Sequence, residues 1–306
     1  MKIILMGQQA FGKNTLEKFY KETDHEIVAV YCAPDKEGKS LDPVKEYALS
    51  ENLPIFQPSN FKDKEVLDQI RSHNADLCVM AYVIIFVPEE ARDIPKYGSI
   101  CFHPSLLPLH RGPSSINWPI IMGSKKTGLT IFYPNDGLDE GEILLQKEVE
   151  IGDDETLGDV YFSKIFPIGV DACIEAANLL ESGTAPKIAQ DDSKSSYESW
   201  CKKADARIDW KKPGKDIYNL IRGCNPQPGA WAEFMDEEFV FLDTKFSSEQ
   251  STGHFPGQIM EINSDNVKIA VKEGYLIVSR FKSKEQGKLF VKDMNTAVLT
   301  EGDLFS

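Results

Sequence analysis

The sequence predicts an α/β protein built on a doubly wound, mostly parallel sheet, with a smaller β-barrel-like domain toward its carboxy-terminal end. Three observations carry that expectation. An apolar strand at 2–6, a helical pattern at 14–22 and a β-branched strand at 25–32 make a βαβ opening. Strands go on alternating with helices up to residue 181, at connection lengths that suit crossover units. From Gly229 onward the pattern changes to short alternating strands, which suit a small barrel or compact β domain.

Taken in order, the first strand ends at Gly7. Gly7 and Gly12 keep the outer spacing of a Gly-x-Gly-x-x-Gly fingerprint, but Gln9 holds the middle place. A side chain there crowds a pyrophosphate, so NAD binding is not expected, and Gly7 reads as a turn that needs permissive backbone. Helices are expected at 44–50 and 64–72 and strands at 76–81 and 98–102. A strand at 142–150 precedes a long amphipathic helix at 156–181, closed by Ser182, Gly183 and Thr184. Polar residues from about 185 to 203 read as a linker, which divides the chain into domains 1–203 and 204–306. In the second domain strands are expected at 230–234, 238–243, 257–262, 266–271 and 275–281.

With 306 residues and 42% hydrophobic content the chain can bury a large core. Its 48 acidic against 34 basic side chains, a formal charge of -14, argue against broad adhesion to phosphate backbones or anionic membranes. The amino-terminal run turns polar after Gly7, so it reads as a strand and not a signal peptide, and no segment has the length of a membrane span. The six cysteines, Cys32, Cys78, Cys101, Cys173, Cys201 and Cys224, form no Cys-x-x-Cys pair. That pattern suits reduced thiols in a cytoplasmic protein better than disulfides or a metal site.

Chemistry concentrates between Cys101 and Gly141. His103 and Asp139 fall at the ends of two apolar runs, each set among prolines or glycines. Pro104 stiffens the chain after the imidazole, and Leu106, Leu107 and Pro108 add an apolar wall. Asp139 lies between Gly137 and Gly141, where the backbone can turn sharply. A carboxylate beside the imidazole favours its protonated form, a donor suited to stabilising the oxyanion of an acyl-transfer reaction. The alternative is a satisfied strand-end histidine and an aspartate that only forms a turn.

At these residues the chain resembles the formyltransferase superfamily that uses 10-formyltetrahydrofolate. The family's Asn-x-His, Ser-Leu-Leu-Pro and Leu-Asp-x-Gly elements appear as Cys101-Phe102-His103, Ser105-Leu106-Leu107-Pro108 and Leu138-Asp139-Glu140-Gly141. Further on, Ala206-Arg207-Ile208-Asp209-Trp210, Ile221-Arg222-Gly223 and Gly229-Ala230-Trp231 resemble the family's carboxy-terminal domain. Within the superfamily, the run from His103 to Gly112 followed by Ile116-Asn117-Trp118 is most similar to the hydrolase domain of the 10-formyltetrahydrofolate dehydrogenases.

The resemblance implies a Rossmann-like formyltransferase fold and a folate as small-molecule partner. It implies hydrolysis of 10-formyltetrahydrofolate to tetrahydrofolate and formate, with His103 and Asp139 as the acid-base pair and without NAD or metal. Ile85, Phe86 and Val87 would line the folate pocket, and Ser105, Leu106, Leu107 and Pro108 would flank it. A carrier or aldehyde dehydrogenase domain is an implied partner that these 306 residues do not contain, so the chain reads as a stand-alone relative or a separated domain. Transfer to methionyl-tRNA or to an amino sugar is the runner-up, and a non-catalytic folate-binding module is an alternative of another class. The loop 34–43 is short and mixed in charge, which disfavours tRNA.

Cys101 departs from the family's asparagine. A thiol is a weak donor, and losing one oxyanion donor costs about 3 kcal/mol, so slow transfer to amines is expected. A thiolate at Cys101 that accepts the formyl group is the second possibility beside a passive thiol.

Overall fold

The computed structural model describes residues 1–249, 251–284, 287–293 and 299–306. The chain forms two compact units, each discontinuous in sequence: Met1–Gly112, Gly128–Val149 and Lys164–Tyr197 make the first, and Pro113–Thr127, Glu150–Ser163 and Glu198–Ser306 the second. A single cut at residue 203 therefore does not describe the packing. The polar stretch after residue 185 is bonded into the first unit, with Ile188 paired to Ile143 and Arg111 to Tyr197.

The first unit is built on a seven-stranded sheet. Its elements in chain order are β1 (Lys2–Gly7), α1 (Gln9–Glu22), β2 (Glu26–Tyr31), α2 (Pro43–Ser50), β3 (Ile55–Phe56), α3 (Lys64–Ser72), β4 (Leu77–Ala81), β5 (Ser99–His103), β6 (Lys126–Phe132), β7 (Ile143–Glu150) and α4 (Phe166–Glu181). The strand order is β3-β2-β1-β4-β5-β6-β7. Pairing is parallel from β3 through β5 and antiparallel between β5 and β6. The parallel strands read as continuous apolar runs because both faces are covered: Ile3, Ile4 and Leu5 of β1 and all of β4 are buried.

Two details differ from the expected opening. Helix α1 starts at Gln9, because the Asp42 carboxylate accepts from the Gln9 amide with both oxygens at 3.0 Å. Asp42 also caps α2 through the Val44 amide at 2.9 Å. Gly7 is required for space, not for turn conformation, since a Cβ there would lie 2.5 Å from the Ala81 carbonyl oxygen. Further along, the helix expected over 156–181 is interrupted by a π turn at Tyr161–Ile165. Pro167 has no amide hydrogen to donate back to residue 163, and a widened turn accommodates that loss.

The second unit contains helix α5 (Gly214–Gly223) and strands β8 (Ala230–Phe234), β9 (Glu237–Phe241), β10 (Thr244–Ser247), β11 (Ile259–Ile262), β12 (Val267–Val271), β13 (Gly274–Val278), β14 (Arg280–Ser283) and β15 (Gly287–Phe290). They form two four-stranded sheets, ordered β10-β13-β12-β11 and β15-β14-β9-β8, with antiparallel pairing. The run expected as one strand at 275–281 is two strands in different sheets. It divides at Ser279, whose amide and hydroxyl both bond to the Asp243 carbonyl. Phe239, Phe241, Phe281 and Phe305 pack their rings in the unit's core. Among the described residues no helix is long and apolar enough to cross a membrane.

Candidate active site

His103 ends β5, and the strand is held through its neighbour Phe102. Phe102 stacks on Phe11 with ring centroids 4.1 Å apart, and Gly169 lets α4 approach, since a Cβ there would lie 2.7 Å from the Phe102 ring. The imidazole is buried, and its Nε2 donates to the His110 carbonyl at 2.9 Å. A carbonyl only accepts, so the bond fixes a proton on Nε2 and leaves Nδ1 for other work. The chain between these two histidines is pinned. The Ser105 hydroxyl donates to the Leu109 carbonyl at 2.7 Å, the Thr130 hydroxyl donates to the Ser105 carbonyl at 2.7 Å, and the Gln146 amide donates to the Leu107 carbonyl at 2.8 Å. Ser105 and Leu107 are buried, while Leu106 and Pro108 are partly buried.

Asp139 comes to His103 from the flank. In the antiparallel register Cys101 faces Phe132 and His103 faces Thr130, so the loop after β6 leaves the sheet beside Cys101 and folds back. The expectation that both residues sit at strand ends holds for His103 only. Asp139 lies within the loop, itself in the left-handed conformation at φ 55°. Gly141 serves a steric purpose instead, because a Cβ there would lie 1.6 Å from the Tyr133 carbonyl oxygen.

The Asp139 carboxylate accepts from the Gly112 amide at 2.8 Å, and the same oxygen lies 3.6 Å from His103 Nδ1. That separation is beyond a direct hydrogen bond and within the span of an ion pair, so one small group can be shared between ring and carboxylate. A neighbouring salt bridge fixes the rest of the loop. Arg92 donates to the Val87 carbonyl at 2.9 Å and to the Asp136 carboxylate at 2.7 Å.

Cys101 is partly buried against Leu107, Phe132 and Ile143. Burial, reinforced by the Asp139 charge, pushes its thiol well above the usual cysteine range. A thiol so placed stays protonated, which argues against the thiolate possibility. The segment Ile85-Phe86-Val87 is divided. Val87 and Ile85 pack with Met80 and Cys101 in one apolar cluster, whereas Phe86 is 59% exposed, with the Lys62 ammonium 5.5 Å from its ring centre. Tyr82 and Ile84 beside it are also exposed.

Sequence reasoning missed the residues that hold the pair. Arg111, 7% exposed, stood only inside the run from His103 to Gly112, and Gln190 fell in a polar stretch. Gln190 accepts from Arg111 Nε at 3.2 Å and Nη2 at 2.9 Å, and its own amide donates to the Asp139 and Gly141 carbonyls at 2.8 and 2.7 Å. At the first turn, Asp42 already takes the helix-end amide of Gln9 that a pyrophosphate would use. Among the described residues no group of three or more His, Cys, Asp or Glu side chains is placed to hold a metal ion.

Comparison with known proteins places the chain in a family. The chain is 39% identical over 268 residues to the cytosolic 10-formyltetrahydrofolate dehydrogenase of Xenopus laevis, covering 86% of this chain and 29% of that protein. It thus spans less than a third of the length of such dehydrogenases. It is 36% identical over 300 residues to the methionyl-tRNA formyltransferase of Fusobacterium nucleatum, covering 96% of each. Among solved structures, HypX from Aquifex aeolicus in complex with tetrahydrofolic acid shares the fold at a TM-score of 0.69 and 15% identity, across 100% of this chain and 50% of that one. The formyl transferase model matches residues 1–165 and the formyl transferase carboxy-terminal domain model residues 201–297, so the chain is a member of the formyl transferase family.

Proposed function

We propose that this chain removes the formyl group from 10-formyltetrahydrofolate by hydrolysis, giving tetrahydrofolate and formate, with His103 and Asp139 as the working pair. The observation that carries this reading is the 3.6 Å gap between His103 Nδ1 and the Asp139 carboxylate, each already held by a backbone partner. Asp139 orients a water and takes its proton as the oxygen attacks the formyl carbon. His103 donates to the formyl oxygen as negative charge builds there. On collapse Asp139 passes that proton to N10, which departs as tetrahydrofolate, while the proton on the former formyl oxygen returns to His103 and formate carries the added oxygen. Phe86, Tyr82 and Ile84 supply exposed apolar surface for a pteridine, and Ile85 and Val87 stand behind them. Leu106 and Pro108, which are only partly buried, would flank the folate beside His103.

Cys101 is passive in this mechanism. Its Sγ donates to the Phe102 carbonyl at 3.7 Å, and its raised titration removes the thiolate. No amide at this position supplements His103, which suits a slow release to water. The reading is also supported by the similarity to the dehydrogenases, which covers 86% of this chain. Incubation with 10-formyltetrahydrofolate, following tetrahydrofolate and formate, tests it: stoichiometric release of both is expected, and folate binding without formate would overturn it.

A second reading, transfer of the formyl group to methionyl-tRNA, is favoured by the 96% mutual coverage with the Fusobacterium enzyme. Against it, the loop 34–43 is short and mixed in charge, carrying Asp35 and Asp42 beside its two lysines. Formylation of charged initiator tRNA by pure protein would establish this reading.

A further inference from the structure

Three consecutive residues hold the whole of the proposed catalytic corner. The His110 carbonyl fixes the His103 ring, and the Gly112 amide fixes the Asp139 carboxylate. Between them, the Arg111 guanidinium takes the Gln190 oxygen in a two-point grip, while also reaching Asp192 at 2.6 Å and Glu140 at 3.8 Å. Gln190 then turns its amide nitrogen onto the carbonyls on either side of the Asp139 turn, at 2.8 Å to Asp139 and 2.7 Å to Gly141.

The bonds form a closed ring: Asp139 carboxylate, Gly112 backbone, Arg111 side chain, Gln190 side chain, Asp139 carbonyl. We infer that Gln190 is a positioning residue, which through Arg111 sets the separation between the Asp139 carboxylate and His103. The inference rests on the reading of that pair as the reacting groups.

The physical reason is the turn itself. Asp139 sits at φ 55°, a conformation with a steric cost for a residue with a side chain, and it persists only where surroundings over-determine it. One carboxamide donor shared by two carbonyls of that turn does so. Arg111 is the reason the carboxamide faces this way: a guanidinium has only donors, so it must meet the oxygen of Gln190 and leaves the nitrogen for the turn.

The test uses Gln190→Glu, which keeps an acceptor for Arg111 but replaces the shared donor with an oxygen facing two carbonyls, and Gln190→Leu, which removes both functions. A misplacement near 1 Å costs about 100-fold in rate, so formate release is expected to fall roughly 10- to 100-fold in kcat, with KM and tetrahydrofolate affinity within about threefold. An independent readout is the NMR chemical shift of the His103 ring at one fixed pH. Asp139→Asn, which alters the group 3.6 Å from Nδ1, is expected to displace that shift in the wild-type background and to displace it less in Gln190→Glu, as in a double-mutant cycle.

Unchanged kcat in both variants, or an undiminished Asp139→Asn displacement, would overturn the positioning role. Loss of tetrahydrofolate binding in parallel with kcat would also overturn it, in favour of a merely structural role. If wild-type protein releases no formate, the function fails while the NMR cycle still decides the clamp.

Discussion

Residues 103–112 and residues 82–86, both in the first unit, are built on opposite plans. In the first stretch, His103, Ser105, Leu107, Leu109, His110, Arg111 and Gly112 each spend a polar group on a partner inside the fold. In the second, Tyr82, Ile84 and Phe86 hold apolar surface in solvent. The difference separates chemistry from capture. Groups that must meet a transition state are fixed before any ligand arrives, and surface that can be buried by a ligand is left bare until then. Substitutions on the first side should act on kcat, and those on the second on KM.

The strongest way to break that comparison is at the pair itself. His103→Ala and Asp139→Asn are each expected to lower kcat for formate release by about 1,000-fold, with tetrahydrofolate affinity within about threefold by fluorescence quenching. A large loss of affinity in either would show that the two sides are not separate in function. Next, Gly141→Ala drives a Cβ against the Tyr133 carbonyl, so the Asp139 turn must move. Urea unfolding should show a loss of about 1–3 kcal/mol, accompanied by a kcat about tenfold lower. A destabilised variant with full kcat would separate the turn from catalysis.

On the apolar side, Phe86→Ala should raise KM about tenfold, leave kcat within about twofold, and leave the melting temperature unchanged because the ring is largely exposed. A lower kcat at unchanged KM would contradict the division. The smallest effect is expected at Cys101, whose partners lie in the core. Burial disfavours the thiolate, so at any pH its ionised fraction is below that of a free cysteine. Cys101→Ala should turn over within about threefold of wild type, and iodoacetamide at about pH 8.5, near the midpoint of a free thiol, should leave Cys101 unlabelled in the folded protein. A formyl adduct by intact mass would restore the nucleophile.

The sequence made the sheet and the acid-base residues legible to different depths. Strands β1, β4 and β5 were readable because residues buried on both faces leave uninterrupted apolar runs. His103 and Asp139 stood out through the prolines and glycines beside them. Gln190 left no local sign: its partners are 49 to 79 positions away, and a polar residue among polar residues has no period. The start of α1 was misplaced for a similar reason, as its cap comes from Asp42, 33 positions on. The division of β13 from β14 was hidden because apolar residues run from Tyr275 to Val278 and resume at Phe281, although the buried positions shift from even to odd across Ser279, where the Asp243 carbonyl marks the hand-over between sheets.

The hold on the Asp139 carboxylate comes from a main-chain N–H, and the residue that owns it, Gly112, has φ 90°. Such a donor cannot be deleted by exchanging side chains, except for proline. Alanine scanning would attribute to steric conflict at Gly112 what belongs to the amide, and would undercount the anchoring of the carboxylate. Only amide-to-ester exchange in the backbone isolates that contact, so this corner is shielded from the commonest form of mutational analysis and from most single-codon changes alike.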